Sequence, residues 1–218
     1  MRQTSIDFYT SDHLSLIGLV TAPNHQKTQS PVLVAASSHP MFGGNMNDPL
    51  ITKLCNAAVT HGIASLRFDF RGVGKSQGEF TNGSKEQIDL KAAIDILDIL
   101  PDIDSKRLIL VGHSFGAAMI LKILKQFKKP CSLILIAPPI SSVMKSKIIF
   151  DNRPKLFIVG QNDHVVSSIQ LKRILDGAKN PVRFVEIQNS NHLLHGQEKV
   201  VAERVIPFIN ENLSQQYA

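Results

Sequence analysis

The sequence predicts an α/β fold built on a mostly parallel, doubly wound sheet of about eight strands flanked by helices. Apolar, β-branched runs alternate with helical patterns along the chain. Most of these runs are apolar almost throughout, as expected for parallel strands that are covered on both faces. Regular strand–helix alternation of this kind produces a doubly wound sheet. The length of 218 residues fits one domain, which we expect to span residues 1–218.

The pattern predicts the following strands and helices along the chain. The segments TSIDFYT and LSLIGLVTA suggest an antiparallel hairpin at one edge of the sheet. The other strands are predicted at 31–37, 63–70, 107–113, 131–138, 155–160 and 183–188, and the helices at 47–61, 84–100, 115–128, 167–178 and 197–213. Pro101 ends the second helix. Residues 140–153, between two of the strands, are too few for a large lid domain.

The composition excludes several classes of protein. An apolar share of 43% is normal for a globular chain, and no apolar run reaches 18 residues, so we expect no stable membrane insertion. The N-terminus lacks the basic and apolar regions of a signal peptide. Cys55 and Cys131 are too few for a disulfide framework. We therefore predict a cytoplasmic protein.

The glycine-rich stretch FRGVGKSQG, residues 70–78, resembles a phosphate-binding loop at first sight. In a P-loop register, however, the first glycine would fall at Asp69, and a dinucleotide fingerprint would need a glycine at Gln77. Both patterns fail, so no nucleotide cofactor is indicated. We interpret the stretch as the loop after the fourth strand, with Asp69 and Arg71 as structural ion partners.

The sharpest motif is GHSFG, residues 112–116, which has the G-x-S-x-G pattern. It follows the strand RLILV directly and opens an apolar helix, which is the setting of a nucleophile elbow. The tight turn needs small residues two positions before and after Ser114, and both are glycine. Ser114 is therefore the predicted nucleophile.

A serine nucleophile needs a base, and the base needs an acid behind it. In sheets of this kind the chain order is serine, acid, histidine. Asp163 lies in the loop after the strand KLFIVG and is the preferred acid. Asp151 precedes that strand and Asp176 lies within a helix, so both are weaker candidates.

The base should follow the last strand. His192 lies four residues after it in a polar loop, and His195 next to Gly196 is the alternative. We prefer His192 on chain position. The histidines as a whole are scattered and lack the short spacing of zinc ligands, so no metal site is predicted.

Acyl transfer also needs N–H donors for the developing oxyanion. The N–H after the nucleophile, that of Phe115, is the first candidate. The second should come from the loop after the third strand, at His39 or Met41.

At this point the chain resembles small bacterial α/β-hydrolases, which carry HPHPxxGG after the third strand and FRGVGxSxG after the fourth. The similarity covers roughly residues 30–210. Its motifs, in order, are SSHPMFGGNMND, LRFDFRGVGKSQGEF, GHSFGAA, LIAPP, GQNDHVV and NHLLHG. The resemblance implies the α/β-hydrolase fold and a serine hydrolase without a cofactor.

Carried over by position, the resemblance implies that Ser114 is the nucleophile, Asp163 the acid and His192 the base. It also implies that Phe115 and His39 supply the oxyanion donors. The chain departs from the family where Ser37-Ser38 replaces the first HP.

Hydrolysis of a small-molecule acyl ester or thioester is the function we predict. A peptidase of the same fold and a non-catalytic binding protein are the alternatives. We predict no nucleic-acid partner, and the sequence does not indicate an oligomeric state.

The net charge of +6 is concentrated between Lys122 and Lys155. This segment contains eight basic residues and a single acidic residue, Asp151. A solvated basic face is the preferred interpretation, because the run has no recognition motif or interleaved aromatic residues. The alternative is that Lys145, Lys147 and Arg153, predicted at the catalytic edge, meet an anionic leaving group such as coenzyme A. Lys128 and Lys129 are expected at the opposite edge.

Overall fold

Eight strands form one sheet in the computed structural model of the chain, which describes residues 1–24, 28–126, 132–179 and 181–214. They are β1 (Arg2–Tyr9), β2 (Ser15–Ala22), β3 (Ser30–Ala36), β4 (Ala64–Phe68), β5 (Ile103–His113), β6 (Ser132–Ile136), β7 (Lys155–Gly160) and β8 (Val182–Ile187). Their order is β1-β2-β4-β3-β5-β6-β7-β8. β2 is antiparallel to β1 and β4, and the other neighbours are parallel. The predicted edge hairpin and parallel sheet are confirmed.

Helices cover both faces of this sheet. They are α1 (Pro49–Thr60), α2 (Glu86–Asp95), α3 (Phe115–Ile123), α4 (Ile140–Ser146), α5 (Ser168–Leu175) and α6 (Glu198–Ser214). Apolar residues of α1 and α6 form one buried cluster with the sheet, while α2, α3, α4 and α5 contribute to the other. The two-sided core confirms the doubly wound architecture, and it explains why the central strands are apolar throughout.

Several predicted boundaries differ from those in the structure. The second helix ends at Asp95 and continues only as a 3-10 turn, Ile96–Ile99. β5 begins at Ile103, before the apolar run, because Ser30 of β3 pairs with Ile103 and donates its N–H to the Asp102 carbonyl. Backbone pairing with a neighbour, which the side-chain pattern does not reveal, extends the strand.

The segment between β6 and β7 contains a helix that the sequence did not predict. α4 is followed by a 3-10 turn at Ile148–Phe150. Val143 and Ile148 are buried in the core on the α3 side. Two inward-facing residues are too few to produce a clear helical period in the sequence. The prediction that this segment forms no large lid domain is confirmed.

Other sequence predictions fall on residues outside the described ranges. These are residues 127–128 of the predicted 115–128 helix, the start of the 131–138 strand, Lys128, Lys129 and Cys131. The described part of that helix ends earlier than predicted, at Ile123, and residues 124–126 form a turn. Cys55 is buried in α1. Within the described ranges, no helix is long and apolar enough to cross a membrane.

The loop that contains FRGVGKSQG is fixed to the body of the protein by a buried arginine. Arg71 lies 2.6 Å from Asp89 of α2 and 2.9 Å from Asp12 in the β1–β2 connection. The Ser76 hydroxyl donates to the Asp69 carbonyl and accepts from the N–H of Ile17 in β2. These contacts account for the conspicuous arginine and serine of the motif as packing residues, and Lys75 is exposed.

Candidate active site

Ser114 lies in a sharp turn between β5 and α3. Its φ of 50° and ψ of −102° are strained for a residue with a side chain. A Cβ on Gly112 would collide with the backbone of Ala117, and one on Gly116 would collide with the Ala36 carbonyl. The turn therefore requires both glycines of the motif, as the sequence predicted.

Hydrogen bonds to two neighbouring strands hold this turn at the carboxyl edge of the sheet. The N–H of Ser114 donates to the Ile136 carbonyl at the end of β6, over 2.8 Å. The N–H of Gly116 donates to the Ser37 carbonyl just after β3, over 3.0 Å. The hydroxyl of Ser114 is thus presented above the centre of the sheet.

The structure brings Ser114, His192 and Asp163 together. Ser114 Oγ lies 2.9 Å from His192 Nε2, and His192 Nδ1 lies 2.8 Å from Asp163 Oδ2. When Nδ1 carries the proton and donates to the carboxylate, Nε2 accepts from the serine hydroxyl. This is the hydrogen-bond order by which a histidine activates a serine.

The loops after β7 and β8 are joined by hydrogen bonds, which explains how residues 29 positions apart meet. The N–H of Asn162 donates to the Ser190 carbonyl over 2.8 Å. The side-chain oxygen of Gln161 accepts the N–H of Asn189 over 3.1 Å. Because β7 and β8 are parallel neighbours, both loops leave the sheet at the same edge.

The Asp163 side chain is fully buried, and its environment still favours the charged form. Burial alone would raise the pKa of this carboxyl, but hydrogen bonds from His192 and from the N–H groups of Val166 and Val165 outweigh it. The pKa of Asp163 is therefore below its usual value. An ionised carboxylate is what stabilises an imidazolium during proton transfer.

The rival candidates lie elsewhere. Asp151 forms an ion pair with Arg153, 2.6 Å away. Asp176 follows the last turn of α5, and His195 is exposed. The prediction that Arg153 lies at the catalytic edge is wrong. Its guanidinium donates to the Leu124 carbonyl just after α3, and it precedes β7, so it lies at the amino edge of that strand.

His113 is a buried residue beside the triad whose contact the sequence did not reveal. Its Nε2 lies 3.2 Å from the His192 carbonyl, and burial lowers its pKa. A neutral His113 protonated at Nε2 donates to that carbonyl and supports the backbone of His192. The signal in the sequence was a histidine inside the elbow motif itself.

The loop after β3 places an imidazole among aromatic rings next to the elbow. The His39 ring lies 5.0–5.1 Å from the rings of Phe42, Phe80 and Phe115. The N–H of Met41 donates to His39 Nδ1 over 3.2 Å. Phe42 is 82% exposed, so an apolar aromatic surface is open to solvent beside Ser114.

Two charged residues of the β4 region hold the far end of the same loop. The Asp69 carboxylate accepts the N–H of Met46 over 2.7 Å, and Arg67 donates to the Met46 carbonyl over 2.8 Å and to the Thr52 hydroxyl. Asp69 was predicted to be an ion partner like Arg71, but its hydrogen bond is to the Met46 backbone. Burial raises its pKa.

Comparisons with known proteins identify the family and the fold of the chain. Residues 12–199 match the family model described as X-Pro dipeptidyl-peptidase (S15 family). The chain belongs to the S15 family. Its fold is that of the α/β serine hydrolases, and the resemblance recognised in the sequence is confirmed.

One relative of this S15-family chain is the uncharacterized protein RP471 of Rickettsia prowazekii. The two are 31% identical over 170 residues, which cover 77% of this chain and 69% of RP471. The chain spans 61% of the length of other curated relatives, such as the uncharacterized protein YfhR of Escherichia coli.

Solved structures similar to this S15-family chain include an alpha-beta serine hydrolase homologue from Coxiella burnetii. It is 30% identical with a TM-score of 0.82, over 95% of this chain and 97% of that one. XC6422 from Xanthomonas campestris, described as an a/b serine hydrolase without lid, is 25% identical with a TM-score of 0.81. That match covers 97% of this chain and 95% of XC6422.

Among the described residues, no group of three or more His, Cys, Asp or Glu side chains is arranged to hold a metal ion.

Proposed function

We propose that this chain hydrolyses carboxylic esters or thioesters through an acyl-enzyme on Ser114. The observation that carries the proposal is the pair of distances from Ser114 to His192 and from His192 to Asp163, 2.9 and 2.8 Å. The strained elbow supports it, because a strain of this kind persists where it presents a reactive group. Membership of a hydrolase family supports it as well.

In the proposed reaction, Ser114 Oγ attacks the substrate carbonyl while His192 Nε2 takes the hydroxyl proton. His192 then gives that proton to the departing alkoxide or thiolate, and an ester bond to Ser114 remains. Water repeats the sequence: His192 takes a proton from it, and the acid product leaves as the proton returns to Ser114 Oγ. Asp163 holds the imidazole in the required tautomer throughout.

Two backbone N–H groups support an oxyanion site. Phe115 is the first residue of α3, so its N–H has no acceptor within the helix. The N–H of Met41 is already donated to the His39 ring, which favours His39 over Met41 as the second donor. We propose the N–H groups of Phe115 and His39 for this role.

The aromatic surface beside Ser114 supports an apolar acyl group. The His39 ring packs against those of Phe80 and Phe115, next to Ser114 in the chain, and Phe42 and Met41 are 82% and 71% exposed. An acyl chain or aromatic acid that covers Phe42 removes apolar surface from water. Phe42→Ala should therefore raise KM for long or aromatic acyl esters and leave acetyl esters nearly unchanged.

A peptidase is the second candidate, and the family description favours it. Free-amino Xaa-Pro p-nitroanilides and p-nitrophenyl esters of matched size separate the two activities. The ester proposal expects kcat/KM for the esters to exceed that for the anilides. The reverse order would establish the peptidase instead.

Two measurements test the proposal. The Ser114→Ala variant should hydrolyse esters roughly 10³-fold or more slowly than the wild type. The wild type treated with a fluorophosphonate should show one adduct by intact mass. Thr60→Ala, an exposed hydroxyl at the end of α1, should leave both results unchanged. Hydrolysis that survives in Ser114→Ala, or a wild type without adduct, would indicate a non-catalytic binding protein or another nucleophile.

A further inference from the structure

A groove of about 360 Å³ runs between α3 and α4 on one face of the protein. Its lining includes Lys122 of α3, Lys125 just after α3 and Lys145 of α4. All three lysines are exposed. The triad and the aromatic surface at His39 do not use them, and they lie in the basic part of the sequence.

The groove is electrostatically one-sided. No carboxylate is among the described residues that line it, whereas the hydroxyl residues Ser141 and Ser142 are. Lys122 donates to the Gly83 carbonyl, which holds its side chain in place. Three ammonium groups without an acidic partner in the lining favour a multivalent anion, and a phosphate or pyrophosphate group offers the oxygen acceptors that such a set requires.

The groove starts close to the nucleophile. Ala118, one of its lining residues, lies one helical turn from the nucleophile and donates its N–H to the Ser114 carbonyl. Lys122 follows Ser114 by eight residues, which at 1.5 Å per helical residue is about 12 Å along α3, and Lys125 lies in the turn just past the end of this helix. The segment that leads to α4 leaves β6 at the same edge, where the Ile136 carbonyl accepts the N–H of Ser114.

We infer that this groove binds the phosphate groups of the substrate, carried on the leaving-group arm. This inference rests on the proposed hydrolysis at Ser114. The thiol of such a thioester would bear a long arm that ends in phosphate, as that of coenzyme A does, and this arm has to span about 12 Å or more from Ser114 to the lysines. Hydrolysis forms the acid from the acyl group and water, and it releases the phosphate-bearing thiol.

Rates of hydrolysis of two matched thioesters test the inference. One acyl group is presented as the coenzyme A thioester and as the N-acetylcysteamine thioester, which lacks the phosphates. Lys125→Glu/Lys145→Glu should lower kcat/KM for the coenzyme A thioester by about tenfold at low salt and change the N-acetylcysteamine reaction by less than about twofold. Lys53→Glu/Lys199→Glu changes the same charge on α1 and α6, across the sheet, and should alter neither reaction.

A binding measurement separates this inference from the hydrolysis itself. Titration of Ser114→Ala with free coenzyme A and with inorganic pyrophosphate should show binding that Lys125→Glu/Lys145→Glu weakens by about tenfold. Equal affinity with and without the two lysines would overturn the inference, as would equal losses on both thioesters. If the wild type cleaves neither thioester but the anions still bind at the lysines, the hydrolysis proposal fails and the anion site remains.

Discussion

At the scale of single residues, the Asp163 carboxylate both contacts the catalytic candidate His192 and holds its own loop in place. Its Oδ2 accepts from His192 Nδ1, and its Oδ1 accepts the N–H groups of Val165 and Val166 at 2.8 Å. The backbone contacts fix the carboxylate in position before the imidazole is considered. Orientation of the histidine and folding of the loop thus depend on the same side chain.

Asp163→Asn should lower kcat for ester hydrolysis by roughly 10³–10⁴-fold, because an amide that donates to Nδ1 stabilises the wrong tautomer of His192. The change is followed by steady-state kinetics on a p-nitrophenyl ester, with thermal unfolding as a check of the fold. Asp176→Asn, on the rival carboxylate, is the matched control and should keep wild-type kcat. A small effect of Asp163→Asn beside a large effect of Asp176→Asn would reverse the assignment.

Asp12 provides a pH-dependent contribution to stability. Hydrogen bonds from Arg71 and then from Thr10 lower the pKa of Asp12 to about 2. A carboxyl with a lowered folded-state pKa stabilises the protein above its unfolded pKa, near 4, and loses this contribution as the pH falls towards 2.

Asp12→Asn should therefore destabilise the protein by about 1 kcal/mol at pH 6, allowing for solvent screening of a one-third exposed side chain. That corresponds to a decrease in Tm of roughly 2–4 °C. The two Tm curves should converge as the pH falls from 4 towards 2. Asp7→Asn on β1, an exposed carboxylate, is the control, and a Tm difference that stays constant with pH would contradict the prediction.

At the scale of elements, the 39–47 loop is held at both ends. His39 accepts N–H groups from Phe42 and Gly44 at the near end, and Met46 is held between Asp69 and Arg67 at the far end. Arg67 and Asp69 lie on and just after β4, so the core of the sheet determines where this loop lies. The position of the His39 N–H depends on this support.

Arg67→Met should lower kcat by about tenfold or more with a smaller change in KM, since small displacements of positioned groups are costly. Fluorophosphonate labelling of Ser114 should persist, because the triad is untouched. Arg67→Lys keeps a donor and should recover part of kcat, and Arg173→Met on exposed α5 is the control. Loss of labelling together with kcat would show instead that the fold itself had been damaged.

A buried lysine stabilises the start of β7. Lys155 at the start of β7 is fully buried, and its ammonium group donates to the carbonyls of Arg153 and Lys179 at 3.1 and 2.8 Å. Burial lowers its pKa. This lysine, which belongs to the basic part of the sequence, connects the segments that lead into β7 and β8. It is therefore not a member of a solvated basic face.

At the scale of the whole molecule, the carboxyl edge of the sheet stays open. The segment between β6 and β7 contributes only α4 and a 3-10 turn, and Phe42 and Val165 near the triad remain largely exposed. The similar XC6422 is described as having no lid. A substrate can therefore reach Ser114 without a large rearrangement.

An open site should show no interfacial activation. The rate of p-nitrophenyl butyrate hydrolysis should follow a single saturation curve through the solubility limit of the ester, without a jump when droplets form. A lidded lipase measured in parallel provides the positive control. An abrupt rise at the solubility limit would mean that a segment of this chain does close over the site.

The order of most elements and the proximity of Ser114, Asp163 and His192 could be predicted from local signals and chain position. Apolar periodicity marks strands, and glycines flank the elbow where a Cβ would collide with backbone. Chain position then selected Asp163 and His192 over their rivals. α4 and the early start of β5 were missed, because they depend on packing and backbone pairing that the side-chain pattern does not encode.

The sequence by itself determined the parallel sheet, the helices other than α4 and the residues that could form a triad, since each follows from local periodicity or motif spacing. Only the tertiary structure decided which charged residues contact one another. In the structure, Asp69 and Arg67 contact the Met46 backbone, and Arg153 lies at the amino edge of the sheet. Lys122, Lys125 and Lys145 line one groove. The physical reason is that such contacts join distant segments, so their partners are set by how the helices and loops pack on the sheet.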